Sequence, residues 1–502
     1  MSAVATLCVI VAGAAAVLLA AAGYLWASRL RTGVPGPPTL PILGNLLFFR
    51  KLPVVYEHCN KLQTLYGNVY RFYIGPVLIV VVTQAEDAQK LLAGTKLRDR
   101  GSYLMRPLRP FLGNGLVTNS GETWKTQRKL IEPCFHSEVL KGFSDAYNEG
   151  AQYICDYLKR AGGSQVQLYE PLCLLSMRTL AASVFGLPFE EMVQDQDTRD
   201  KVTTAFMEGL RIIQKVLFRP WYHSEFIMWS TGLSHKLASH TSVTNNLVRR
   251  AIAYKKMNKV NSSFNSRKAL MDTLMESEIQ MSDEEIYDEI RTFLMAGTET
   301  TACSIGFALV LLSLHPEWQD AAQKELDTVF GTGEDYLRST TPEELAQLPV
   351  IESIIKETLR LYPPVPNASV VLSEDTPLAG GRYVAPRGAY VLVALHLLHR
   401  QPDVFPDPEK FDPSRFLENG GPARSPYAYL PFGAGARKCV GARFAMLEIK
   451  TVLAAVLRQF RVLPGCTRRQ LDQVGISTTG VPLNDFKVTC IPRTDLPASQ
   501  AK

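Results

Sequence analysis

Apolar positions along the chain fall into runs of different length, and the runs predict its elements. From Val4 to Trp26 the residues are apolar or small and carry no charge, a stretch that spans a bilayer at roughly 1.5 Å per residue. Arg29 and Arg31 follow at once, whereas only the amino terminus precedes the run, an asymmetry that keeps the bulk of the chain cytosolic. A cleaved signal peptide is the alternative, but the run exceeds the usual apolar core of about 7–15 residues. Val34-Pro35-Gly36-Pro37-Pro38 comes next. It cannot continue a helix and predicts a stiff hinge. The boundaries that follow are an anchor with its flank over 1–34 and a large domain over 35–502.

Inside that domain the longest apolar run lies between Ser282 and His315. Ser282 with Glu285 makes a capping box, Asp283 and Glu284 suit the positive start of a helix, and Pro316 marks its far end. The composition between them predicts a long helix that crosses the core. A second apolar stretch, Val440 to Leu457, predicts a helix preceded by Phe432-Gly433-Ala434-Gly435-Ala436-Arg437-Lys438-Cys439-Val440-Gly441. The glycines let the backbone pass close to a flat ring, Phe432 suits the face of such a ring, and Arg437 supplies a fixed cation for a carboxylate on its edge. Cys439 stands at the helix start, where backbone N–H groups favour negative charge on sulfur. A buried structural cysteine is the alternative reading. The spacing favours a heme iron ligand.

This decapeptide resembles the heme-binding signature of the cytochromes P450, the heme-thiolate monooxygenases, with each defining position filled. Other motifs follow the same family in order. Trp124-Lys125-Thr126-Gln127-Arg128 sets an indole and a guanidinium one helical turn apart, and the resemblance gives Trp124 and Arg128 to a heme propionate. Ala296-Gly297-Thr298-Glu299-Thr300-Thr301 resembles the oxygen-binding groove: Gly297 lets the helix open, Thr300 hydrogen-bonds bound dioxygen and Glu299 supplies protons. A back-bonded Thr300 and a surface or salt-bridged Glu299 are the ordinary alternatives. Glu357-Thr358-Leu359-Arg360 matches the family's ExxR helix, with Arg415 of Phe411-Asp412-Pro413-Ser414-Arg415-Phe416 as its third member. Their implied role is structural, a buried charge network that positions the cysteine loop.

The resemblance implies a mainly α fold: a large helical domain with a smaller β-rich part, plus the N-terminal transmembrane helix. It implies heme b, dioxygen, and electrons from NADPH through a separate NADPH-cytochrome reductase, with cytochrome b5 as a further donor. It also implies a single-pass anchor in the endoplasmic reticulum membrane. The fourth group, the microsomal fatty-acid omega-hydroxylases and their animal relatives, is nearest, through Gly121-Glu122-Thr123-Trp124 to Pro133-Cys134-Phe135-His136 and Arg219-Pro220-Trp221-Tyr222 to Trp229-Ser230-Thr231-Gly232. Two positions depart from the pattern. Ala296 stands where many of that group carry a glutamate esterified to heme, so non-covalent heme is expected and strict terminal regioselectivity is not. Val370 stands where the family commonly has a propionate-binding arginine.

Phe293, Ala296, Val365 and Ser369 are the expected pocket residues, and none carries a charge to hold a substrate carboxylate. Val216 to Trp229 mixes apolar and aromatic residues and fits either a membrane surface or ordinary helix packing. Net charge is +6, which gives no reason to invoke nucleic acid. The nine cysteines show no CxxC pair or disulfide rhythm, which suits a reducing compartment. The eight histidines form no metal-ligand spacing, so each reads as a surface or packing residue. Asn261 and Asn367 begin glycosylation sequons that a cytosolic domain leaves unmodified. No GxGxxG opens a βαβ unit, so electrons come from a partner. Lys125, Arg128, Lys129, Lys438 and Arg443 offer it a basic surface. A heme-thiolate isomerase or lyase and a non-catalytic heme sensor remain alternatives. The former generally lacks the acid-alcohol pair, and the latter has no use for it.

Overall fold

The computed structural model describes residues 12–21, 23, 33–40, 43–47, 55–93, 101–193, 195–217, 219–258, 269–277, 281–331, 333–418, 423–476 and 479–493. Of the expected N-terminal span, Ala12–Ala21 is an exposed apolar helix. The rest of 4–26 lies outside the described residues, apart from Gly23, as does the sequon at Asn261.

The smaller part is built on a four-stranded sheet. Strands β1 (Val69–Ile74) and β2 (Val77–Val82) form a hairpin in which Ile74 faces Val77 across a two-residue turn. Gly75 supplies the turn's φ of 57°, the left-handed conformation such hairpins need at the first turn position. The run Val77-Leu78-Ile79-Val80-Val81-Val82 is β-branched or apolar and is buried on both faces toward its end, as a central strand requires. The proline-rich stretch is docked on this sheet: Val34 is buried, and the Pro35 carbonyl accepts from the Arg71 N–H at 2.7 Å.

The larger part is helical. Its elements include α1 (Gly121–Ile131), α2 (Ser144–Ala161), a short strand β3 (Gln165–Gln167), α3 (Tyr169–Leu180), α4 (Asp283–Leu314) and α5 (Pro349–Leu361). Strands β4 (Asn367–Val371) and β5 (Tyr390–Ala394) return to the sheet, in the order β1-β2-β5-β4, with β2 and β5 parallel. Helix α6 (Ala442–Gln459) and strands β6 (Phe460–Pro464), β7 (Val474–Ile476), β8 (Gly480–Pro482) and β9 (Lys487–Pro492) close the chain. Strands β7 and β8 pair as a hairpin, while β9 lies between β3 and β6.

Helix α4 is the axis of the fold, packed along α3 and α6. Ser282 caps it, accepting from Glu285 N–H at 3.3 Å while the Glu285 carboxylate accepts from Ser282 N–H at 2.8 Å. Among the described residues it is the one helix long and apolar enough to cross a membrane, but 83% of its apolar window is buried, so the protein itself is its solvent. The helix runs unbroken through Gly297, and the expected opening there is absent. The glycine serves close packing instead: a Cβ would come within 2.9 Å of Leu180 Cδ1 on α3.

Candidate active site

The cysteine loop is a tight backbone path. Gly433 and Gly435 have φ of 71° and 65°, and a Cβ on Gly435 would lie 2.0 Å from the Leu92 carbonyl oxygen. Only glycine fits there. Cys439 N–H donates to the Phe432 carbonyl at 2.9 Å, closing the loop. Helix α6 begins at Ala442 rather than Val440, so Cys439 precedes the helix instead of opening it. Its thiol is exposed, and what it faces is a cavity.

Behind the loop lies the charge network. Arg360 Nε and Nη2 donate to the two carboxylate oxygens of Glu357 at 2.7 and 2.8 Å, both side chains being fully buried. The arginine also donates to the carbonyls of His399, Pro408 and Lys410. Glu357 accepts from Asp412 N–H at 2.9 Å and lies 3.4 Å from Arg415 Nε. All five guanidinium protons of Arg360 therefore have acceptors, and both Glu357 oxygens accept hydrogen bonds, as burial demands.

His399 links this network to the cysteine loop. Its Nε2 accepts from Leu430 N–H at 2.8 Å, two residues before Phe432. Burial, then Arg360 and Arg400, push its pKa down to about 3, so the ring stays neutral and available as acceptor. The sequence offered no reason to separate His399 from the other histidines. The link depends on chain folding that joins residues 360, 399 and 430.

The cations assigned to propionates lie beside the loop. Arg437 Cζ stacks 4.0 Å from the Trp124 ring centroid, a cation–π contact that fixes the guanidinium. Arg128 donates to the Lys438 carbonyl at 2.9 Å and pairs with Glu132. Trp124, Arg128, Arg437, Phe432 and Cys439 all line one cavity of about 470 Å³.

The opposite wall comes from α4 and its neighbours. Phe293, Ala296, Gly297 and Thr300 face the same cavity, as do Val365, Ser369 and Val370. Thr300 Oγ1 donates back to the Ala296 carbonyl at 2.9 Å. Glu299 is buried and so is not a surface acid. Its carboxylate accepts from Tyr169 and Thr479, contacts with no sequence precedent in the motif. A loop over the cavity is tied to α4 by Asp288, which accepts from Asn114 N–H at 2.9 Å, and Glu289, which accepts from Leu116 N–H at 3.0 Å. Burial pushes the Glu289 pKa up to about 7.

The donor set suits a flat, dianionic ring: one thiol facing the cavity, arginines and an indole at one edge, and apolar walls around them. Comparison with known proteins decides the matter. The family model described as cytochrome P450 matches residues 34–483. This chain belongs to the cytochrome P450 family.

Relatives include the probable cytochrome P450 4aa1 of Drosophila melanogaster, 33% identical over 448 residues, covering 88% of this chain and 86% of the relative. Cytochrome P450 4V2 of Rattus norvegicus is 32% identical over 457 residues, 87% and 85% of the two chains. The human protein of that name is 33% identical over 468 residues, with the same coverage. The names are those of the fourth family, as the sequence resemblance indicated. The protein is accordingly an oxidoreductase of the monooxygenase class. It binds heme b with its iron, uses dioxygen, and takes electrons from NADPH through a partner reductase to oxidise a lipophilic substrate.

The charged residues on the P450 cavity wall are Arg128, Arg437 and Lys438, all at the Cys439 end. Elsewhere, among the described residues, the wall is apolar or carries hydroxyls and amides. Val370 is buried and pairs with Val391 on β5, so strand β4 presents no cation where the family commonly has one.

Proposed function

We propose that this P450 hydroxylates a long, lipophilic substrate of the fatty-acid class at the endoplasmic reticulum membrane, holding its heme without a covalent tether. The observation that carries the reading is the cavity: a thiol and two arginines at one end, apolar walls at the other, and a volume of about 470 Å³. A fatty acid would extend its chain along Leu108, Phe111, Leu112 and Phe293, with its oxidised end toward Ala296. Among the described wall residues no cation is placed to hold the carboxylate far from Cys439, so selectivity would come from shape and apolar contact.

Cys439 is the thiolate we assign to the heme iron, whose chemistry, when bound, is the activation of dioxygen. Arg437, held flat by Trp124, and Arg128 would neutralise the heme carboxylates, and Phe432 would pack against the ring. Glu357, Arg360 and Arg415 hold the loop that carries the cysteine. Ala296 has no carboxylate to esterify, which supports free rather than tethered heme. Thr300 commits its one proton to the Ala296 carbonyl, and its oxygen keeps acceptor capacity toward the cavity. Glu299 holds and releases protons for the reaction.

The membrane assignment rests on the exposed Ala12–Ala21 helix together with Trp221, Phe226 and Trp229, which are 41%, 70% and 70% exposed. Side chains of that kind on a short helix and turn suit the lipid interface. The anchor over 1–34 and catalytic domain over 35–502 follow from the same reading. Exposed Lys129, Lys438 and Arg443 give an acidic reductase, and cytochrome b5, a basic face near the cysteine loop. The retained Glu299-Thr300 pair disfavours an isomerase or lyase.

The test is product analysis by mass spectrometry after incubation with reductase, NADPH and a panel of fatty acids, steroids and other lipophiles. The expected product is a hydroxylated fatty acid, with heme extractable into acidified organic solvent. Oxidation of other lipophiles with fatty acids untouched would contradict the substrate class. Absence of any reductase-dependent product would contradict the reaction.

A further inference from the structure

The acid of the central helix does not itself reach the cavity. Glu299 is 1% exposed and is not among the side chains on the cavity wall. Each of its carboxylate oxygens instead accepts from a hydroxyl on a different element. Tyr169 Oη, at the start of α3, donates to Oε1 at 2.5 Å. Thr479 Oγ1, just before β8, donates to Oε2 at 2.5 Å. These two partners differ in what lies behind them. Thr479 is 3% exposed to solvent yet lines the cavity. Tyr169 is half-buried and is the one member of the set that keeps appreciable accessible surface. A continuous line of hydrogen-bonded oxygens therefore runs from the start of α3 through Glu299 to the cavity.

We propose that Tyr169 and Thr479 are relay residues acting through Glu299, carrying protons from the α3 side of α4 to the cavity through the Thr479 hydroxyl. This rests on the monooxygenase reading above and adds the route by which its protons arrive. In one passage a hydronium proton from solvent adds to the Tyr169 oxygen as the Tyr169 O–H proton moves to Glu299 Oε1, leaving water outside and the phenol intact. The carboxyl group turns over, gives that proton to Thr479 Oγ1, and the original Thr479 proton leaves into the cavity. The net result is one proton moved from solvent to cavity, with each side chain returned to its starting state. Two such passages match the two electrons from NADPH that, with dioxygen, yield hydroxylated product and water.

The surroundings suit conduction in this line. Cys173 and Cys303 flank Glu299 and are fully buried. Burial, then the nearby Glu299 charge, holds both thiols well above their ordinary range, so neither competes as a proton carrier. Burial and then Glu299 do the same for the Tyr169 phenol. It passes protons through without resting as phenolate. Thr300 donates instead to the Ala296 carbonyl, so that hydrogen bond is not part of this line.

The test compares Tyr169→Phe, Thr479→Val and Thr479→Ser with the wild type in reductase-supported turnover. Product per NADPH should fall about 10²-fold in the Phe and Val variants, the low end of what a positioned proton donor contributes, with reducing equivalents diverted to peroxide. The Ser variant, which keeps the hydroxyl, should remain within about twofold of wild type. An independent readout is the infrared carboxylate band of Glu299, isolated by subtracting the Glu299→Gln spectrum. It should shift in the Phe and Val variants and not in the Ser variant. Wild-type coupling in Phe and Val, or an unmoved band, would overturn the relay. Should Tyr169→Phe fail to fold, equal coupling in the Ser and Val variants would overturn it alone. A wild-type protein that forms no reductase-dependent product would condemn the monooxygenase reading instead, while the infrared shift would still decide whether these bonds exist.

Discussion

The two sides of the cavity are held in different ways. On the Cys439 side, full charges do the work: Glu357 and Arg360 pair in a wholly buried site, and backbone carbonyls and amides take up what remains of their hydrogen-bonding capacity. On the α4 side, the buried acid accepts from two hydroxyls, those of Tyr169 and Thr479. The first arrangement is costly to disturb and fixes geometry, because stranding either charge leaves it in a low-dielectric interior. The second leaves protons on groups that exchange them, because a hydroxyl both donates and accepts. A rigid loop is paired with a proton-bearing wall.

Breaking the rigid side should have the largest effect. Glu357→Ala strands Arg360 and should destabilise the protein by about 3–5 kcal/mol, measured as a lowered thermal midpoint together with lost heme. On the other side, Thr300→Ala should leave heme content and stability unchanged. It should lower product per NADPH about tenfold and raise peroxide correspondingly, a loss of about 1.4 kcal/mol in coupled turnover. Unchanged coupling would remove Thr300 from the reaction.

Acid should discriminate the sides again. His399 and His396 are buried with folded pKa values of about 3, lowered chiefly by burial. Below the unfolded value near 6.5 the unfolded chain binds protons that the fold does not. Each group's stabilising contribution is therefore present above about pH 6.5 and is lost as pH falls toward 3, at about 1.4 kcal/mol per pH unit. Denaturant unfolding at stepped pH should show that slope weakened in His399→Gln. Glu289 has the opposite sign: with its pKa raised to about 7 by burial, its favourable contribution is complete below its unfolded value near 4.5 and fades as pH rises through 7. The smallest effect is expected at Gly297→Ala. The new methyl meets only the end of the Leu180 side chain, and thermal unfolding should register about 1 kcal/mol.

The parts of this molecule that the sequence reveals are those written in local spacing. Ser282, Glu285 and Pro316 mark the ends of α4 within a residue or two, and the glycine-framed decapeptide brings Cys439, Arg437 and Phe432 to one wall. Residues 357 and 360 share a helix face by spacing alone. What sequence reading missed depends on distant chain. His399 matters because chain folding sets it between Arg360 and Leu430, and nothing beside it in sequence says so. Tyr169 and Thr479 reach Glu299 across 130 and 180 positions. In the motif Gly297 suggests an opening of the helix, because glycine loosens helices, whereas in the fold its missing side chain makes room for Leu180. Local periodicity specifies where an element begins and ends; which partner faces it is a property of the packed whole.

The most direct test of the account is the carbon monoxide difference spectrum of the reduced protein, taken for the wild type and for Cys439→Ala at matched heme content. The wild type should show the red-shifted absorption band of a thiolate-ligated heme, and the alanine variant should lose it. Survival of that band without Cys439 would contradict the assignment on which the site, the cavity and the proposed reaction all depend.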